Sequence, residues 1–194
     1  GVSRTTLRQA LSLLKDDGLI KNIHGKGNFI TKENNEMKTG LEKIGHIIYK
    51  CLDHKIDKIE FDFKIQPPSD YFIKILGEES VATVVIDRWY MCDSKTIAYT
   101  FTTIPIEVIS TFNLDLNNRD KLLKFIEETI YEICNDASIN IKFSKTGNFI
   151  TKSHPISCEN QFFLVEEALY KNSNYPIMFN KHYLPTQYAD IKFH

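Results

Sequence analysis

At 194 residues and 42% hydrophobic side chains, the chain can bury one or two cores, and its net charge of −1 excludes a protein held to nucleic acid by bulk charge alone. Cys51, Cys92, Cys134 and Cys158 show no Cys-x-x-Cys spacing, so neither a zinc site nor a disulfide scaffold is indicated. No apolar run reaches the roughly 18 residues of a membrane span and no signal peptide is evident, which leaves a cytoplasmic protein with reduced thiols and no membrane contact as the expectation.

The first 32 residues differ from the rest. They hold six Lys or Arg against Asp16 and Asp17, net +4, while the remaining 18 basic and 23 acidic residues give −5. Ser3 is placed to cap a helix in which Leu7, Ala10, Leu11 and Leu14 form one apolar face, with Gly18 ending it. Arg4, Thr5, Thr6 and Arg8 fill its first two turns, with Thr5 and Arg8 pointing away from the Leu7/Leu11 face. Leu19-Ile20 and Phe29-Ile30 then read as two strands around His24-Gly25-Lys26-Gly27, where two glycines allow a tight turn and a close approach to another surface. Arginine can pair bidentately with guanine, threonine can touch phosphate or a thymine methyl, and a His/Lys hairpin tip suits a minor groove or a phosphate. The plainer alternative is a helix and hairpin whose basic residues are incidental.

Residues 33–40 are polar and read as a linker. Leu41, Ile44, Ile47, Ile48 and Leu52 predict an amphipathic helix, with Thr39 as a candidate cap. Lys58 to Ile65 alternates as a half-buried strand, and Pro67-Pro68-Ser69-Asp70 opens a short helix closed by Gly77. A hairpin is expected from Val81–Met91 and Thr96–Ile104 through Cys92-Asp93-Ser94-Lys95. A helix follows over Lys121–Cys134 with Leu122, Ile126, Ile130 and Ile133 on one stripe, then a strand over Ile139–Thr151. A second hairpin joins Gln161–Tyr170 to Ile177–Leu184. Hairpin-linked strands with helices beside them give an α+β fold built on an antiparallel sheet. The hexapeptide Gly-Asn-Phe-Ile-Thr-Lys occurs at 27–32 and 147–152, but its surroundings differ and no repeat is inferred.

Gly1-Val2-Ser3-Arg4-Thr5-Thr6-x-Arg8-x-Ala10-Leu11, Gly18-Leu19-Ile20 and His24-Gly25-Lys26-Gly27-x-Phe29 together resemble the winged helix-turn-helix of the GntR family of bacterial transcriptional regulators. The family's first helix and positioning helix precede this point and are absent here, so residues 1–32 are expected to be a partial DNA-binding domain. Residues 41–194 resemble UTRA, the effector-binding domain with a chorismate-lyase-like fold that follows the winged helix in the HutC branch. The marks are Asp87-Arg88, Ile97-Ala98-Tyr99, Ile104-Pro105 and Pro176-Ile177-Met178-Phe179-Asn180.

The resemblance implies a homodimeric, ligand-responsive regulator, a repressor in the simplest case, that reads operator DNA through Ser3, Arg4, Thr5, Thr6, Arg8, His24, Gly25, Lys26 and Gly27. Two alternatives are a dimerising effector-binding module without DNA binding and a lyase-like enzyme. Against the enzyme, no nucleophile–base pair, catalytic residue, metal spacing or cofactor motif is evident. In relatives that sense sugar phosphates, donors come from the start of the domain's first helix, here Thr39-Gly40-Leu41, and from two arginines, here Arg88 and Tyr90. Their sugar-contacting glutamate falls at Thr100, a serine and a tyrosine at Asp120 and Leu122, and a last-strand glutamate at Met178. Most of the anion-binding set is thus replaced. The candidate effector contacts are Thr39, Gly40, Arg88, Tyr90, Thr100, Thr102, Asp120, Asn180 and His182, in a pocket suited to a small carboxylate or a sugar derivative. Alternation puts Arg88 and Tyr90 on one sheet face and Trp89 on the other, and Arg88 could instead serve a structural ion pair. Between Thr151 and Gln161, a helix of about two turns found in the family is expected to be shortened or absent, which would open one wall of the pocket.

Overall fold

A computed structural model describes residues 3, 5–7, 9–11, 20–23, 27–30, 40–77, 80–145, 154–156 and 161–193. The chain divides into two compact units, residues 1–38 and 39–194.

In the first unit, residues 5–7 and 9–11 are helical. Ser3 caps them as expected: its hydroxyl accepts the Thr6 N–H at 3.2 Å and its carbonyl accepts the Leu7 N–H at 3.1 Å. Strands β1 (Ile20–Ile23) and β2 (Gly27–Ile30) pair antiparallel from Ile20 opposite Ile30 to Ile23 opposite Gly27. Ser3, Thr5 and Thr6 are exposed. Arg4, Arg8, His24, Gly25 and Lys26 lie outside the described residues.

The second unit is a six-stranded antiparallel sheet in the order β3-β4-β5-β8-β7-β6. The strands are β3 (Lys58–Gln66), β4 (Thr83–Cys92), β5 (Lys95–Pro105), β6 (Asp136–Ser144), β7 (Phe162–Tyr170) and β8 (Met178–Pro185). The β4–β5 hairpin turns through Asp93 and Ser94, both at positive φ (47° and 63°), the two-residue geometry that matches strand twist. Helix α1 is Ile47–Cys51 and α2 is Asp70–Leu76, the latter capped by Ser69 and ended by Gly77 at φ 93°, as read from the sequence. The short α3, Ile106–Thr111, follows Pro105, has no side-chain cap and is not among the elements expected from the sequence. Helix α4 starts as Arg119–Lys124, widens into a π-helical turn over Phe125–Thr129, and finishes as Ile130–Ile133. Residues 146–153 and 157–160 lie outside the described residues, and with them most of the shortened connection expected after Thr151.

Two apolar clusters cover one face of the sheet. One joins α4 (Leu122, Phe125, Ile126, Ile130) to Phe61, Ile86, Ile104 and Met178, and the other joins α1 (Ile47, Ile48, Cys51) to Tyr90, Ala98, Val165 and Leu184. On the opposite face, α2 packs Phe72 and Leu76 over Phe101, Phe179 and Ala168, and Trp89, Tyr99, Phe162 and Ile156 form a separate aromatic group. Cys51, Cys92 and Cys134 form no disulfide among the described residues.

The predicted helix from Leu41 requires correction. Residues 41–45 form turns and bends, and the helix begins only after His46. Other bonds take the groups that a longer helix would use: the Leu41 N–H donates to the Lys192 carbonyl at 3.0 Å, and Lys50 Nζ donates to the carbonyls of Gly40 (3.1 Å) and Lys43. The His46 ring then caps α1, its Nδ1 accepting the Ile48 N–H at 3.2 Å. Thr39 lies outside the described residues, and Gly40 is buried beneath Lys50 rather than at a helix start.

Candidate functional site

Between the two apolar clusters, the same sheet face carries a polar band. Register builds it. One rung across the sheet runs Phe61, Arg88, Thr100, His182, Val165, Ile141, and the next runs Phe63, Ile86, Thr102, Asn180, Glu167, Ile139. Each rung is polar in its middle and apolar at its ends. Arg88, Tyr90, Thr100, Thr102, Asn180 and His182 are therefore brought together, all at 0% exposure. Asp120 is not among them: it is exposed in the first turn of α4, beside a separate open cleft with Asp115, Asn117 and Arg119. Met178 sits in the apolar cluster, while Trp89 and Tyr99 belong to the other face, as alternation requires.

Two buried carboxylates that sequence reasoning did not single out organise this band. Glu127 comes from the π turn of α4, whose extra residue per turn brings Phe125, Ile126 and Glu127 inward together. Its Oε1 accepts from Arg88 Nη1 and from the Tyr90 hydroxyl (2.8 Å). Its Oε2 accepts from the Tyr49 hydroxyl at 2.9 Å and faces His46 Nε2 at 3.3 Å. Burial disfavours the charged form of Glu127, but His46, Arg88 and the Tyr90 hydroxyl outweigh it and hold its pKa far below the ordinary carboxylate range. Arg88 also donates through Nη2 to Thr102 (2.7 Å) and Asn180 (3.3 Å). The buried guanidinium is thus committed to protein partners, the structural ion pair that the sequence left as an alternative.

Glu167 is built differently. Three donors converge on one oxygen, Oε2: Asn180 Nδ2 at 2.7 Å, the Tyr131 hydroxyl at 3.0 Å and His182 Nε2 at 3.1 Å. Oε1 receives no hydrogen bond among the described residues, although Glu167 is 1% exposed. His182 is pushed down to about 4, chiefly by burial, with Glu167 opposing, so it is neutral at pH 7. Its partners set the tautomer: Nε2–H donates to Glu167, and Nδ1 accepts the Thr100 hydroxyl at 2.9 Å. A hydroxyl–imidazole–carboxylate chain results, but Thr100 and His182 are fully buried, so no substrate reaches that hydroxyl.

Glu167 lines a cavity of about 300 Å³. The irregular segment Leu41–Gly45 forms one wall, and Asn135, Asp136, Ala137 and Ile139 at the start of β6 form the other. Of the residues expected at an effector site, His182 and Asn180 stand directly behind Glu167, and Gly40 adjoins the wall through Lys50. Continuing the period-two alternation of Leu164-Val165-Glu166-Glu167 against the inward His182 would have exposed Glu167 as a sequence-level signal. Glu127 gave none, because an unbroken α-helix would not turn it inward with Ile126.

No family model and no curated protein matches the chain. Solved structures do. PhnF from Mycobacterium smegmatis aligns over 100% of this chain and 85% of its own at a TM-score of 0.61 with 13% identity. The ligand-binding domain of a regulator assigned to the GntR family, from Bordetella bronchiseptica, aligns over 74% of this chain and 93% of its own at 0.58 with 11% identity. A GntR-family regulator from Bacillus cereus aligns over 71% of this chain and 99% of its own at 0.54 with 15% identity. The second unit has the fold of GntR-type ligand-binding domains. The Bordetella and Bacillus proteins carry the name of transcriptional regulators. No helix among the described residues is long and apolar enough to cross a membrane.

Proposed function

We propose that the chain is a ligand-responsive, DNA-binding transcriptional regulator of the GntR family, HutC branch, acting as a homodimeric repressor. Residues 1–32 are its DNA-reading head and 41–194 its UTRA effector domain. The observation that carries this reading is the cavity beside Glu167. It opens on a buried polar network, within a fold shared with regulators' ligand-binding domains. Arg4 and Arg8 supply base and phosphate contacts, and Lys26 a phosphate contact at the hairpin tip. The effector seats against Glu167, with Asn180, His182, Thr100, Thr102, Arg88 and Tyr90 as the polar layer that positions it. Binding there is coupled to the operator through the dimer, as a free energy between two distinct sites.

The test is selection of duplex DNA from a random library by the complete regulator, then titration of the selected sequence. Arg4→Ala and Arg8→Ala should each weaken binding about tenfold, and Lys26→Ala should flatten the salt dependence. Equal affinity for wild type and all three variants contradicts DNA reading by this head.

A further inference from the structure

Behind the cavity two buried carboxylates, Glu127 and Glu167, share one permanent cation, Arg88, with the imidazoles of His46 and His182 beside them. Glu127 takes the guanidinium. The ion-pair partner of Glu167 is His182, which is neutral at pH 7. Lys50 on α1 directs its Nζ to the Gly40 and Lys43 carbonyls and acts on Glu167 and Glu42 only through longer-range attraction. Burial works against ionisation of Glu167, but hydrogen bonds from His182 and Asn180, together with charge interactions with His182 and His46, prevail and keep its pKa below the usual value. A buried, ionised carboxylate whose direct partners include no permanent cation is costly, and a cation reaching it from the cavity lowers that cost. Its three donors all sit on Oε2, and Oε1, which accepts none among the described residues, belongs to a residue of the cavity wall. The mouth adds Glu42 and Asp136 against Lys43.

We infer that this cavity takes a cationic amine, with an ammonium donating to Glu167 Oε1 and, in a diamine, a second ammonium held at the Glu42/Asp136 rim. The inference rests on the effector reading above and names its ligand class. It replaces the carboxylate or sugar expected from the sequence, because the arginine on which an anion would depend is already neutralised. A chain of four to six carbons fits a volume of about 300 Å³, the space of about ten waters.

The probes are putrescine, 1,4-butanediol and succinate, which share a four-carbon chain and differ in charge. Each is titrated into the full chain by calorimetry and followed by thermal unfolding. Putrescine should bind and raise the unfolding midpoint; butanediol and succinate should not. Glu167→Gln should weaken putrescine at least about tenfold, the loss of one charge-assisted hydrogen bond. Glu42→Gln combined with Asp136→Asn, both on the exposed rim, should weaken it about threefold and keeps the test intact if Glu167→Gln does not fold. Putrescine affinity unchanged in these variants, or no binding by putrescine, overturns the inference. Binding of succinate in its place also overturns it while leaving the effector reading standing. The effector reading itself fails separately, if operator affinity responds to no compound that binds the cavity.

Discussion

Glu127 and Glu167 are two buried glutamates on one network, and they are opposites. Glu127 accepts through both oxygens, from Arg88, Tyr90 and Tyr49, with His46 beside it. Glu167 is fully donated on one oxygen and, among the described residues, open on the other. The first is finished as a structural element: it ties α4 to the sheet and neutralises Arg88, whose two terminal nitrogens are bonded to protein partners. The second is finished only when a donor arrives from the cavity. The contrast teaches that burial and charge do not by themselves mark a binding residue. The distribution of partners over its atoms does.

The largest effect should come from breaking the finished side. Glu127→Gln leaves Arg88 buried without a counter-charge, and breaking such a pair costs about 3–5 kcal/mol, measurable by denaturant unfolding. A loss below about 1 kcal/mol would mean that the pair is not what joins α4 to the sheet.

Acid probes the link between the halves. The folded pKa of His182 is depressed to about 4 from 6.5, so between these values the unfolded chain binds the proton more readily. Stability is therefore full above pH 6.5 and falls as pH drops towards 4; protonation of Glu127, also depressed, adds to the loss at still lower pH. Thermal midpoints from pH 7 to 4 should show this slope, and His182→Gln should flatten it. A wild-type midpoint that is constant over that range would contradict a neutral, buried His182.

A change outside the network sets the scale. Gly77 closes α2 at φ 93°, and a Cβ there would lie 3.0 Å from the Tyr175 ring. Gly77→Ala should cost about 1–2 kcal/mol in the same unfolding assay, through backbone strain and the close contact, without altering putrescine binding. A change in amine affinity would show that the cavity depends on more than its own walls.

Much of this architecture was legible in the chain. The alternation of Lys58–Ile65, the Asp93-Ser94 turn, and the Ser69 and Gly77 signals around α2 depend on local chemistry, and the structure repeats them. Alternation also placed Arg88 and Tyr90 together and Trp89 apart. What failed was non-local. The helix read from Leu41 is cut short by a lysine side chain and by the C-terminal segment, neither visible in a periodic pattern. Glu127 depends on a π turn that a 3.6-residue period cannot express. Glu167 needed the register of β7 against β8, which fixes its neighbours Asn180 and His182.

The most direct test of this asymmetry needs no ligand: the unfolding free energy of Glu167→Gln beside that of Glu127→Gln, at pH 7. A glutamine can keep its oxygen under the three donors while removing a buried charge that has no permanent cation in contact, so Glu167→Gln should leave stability within about 1 kcal/mol of wild type or raise it. A loss as large as that of Glu127→Gln would show that Glu167 is a structural charge like its neighbour, and the open oxygen would no longer mark a site.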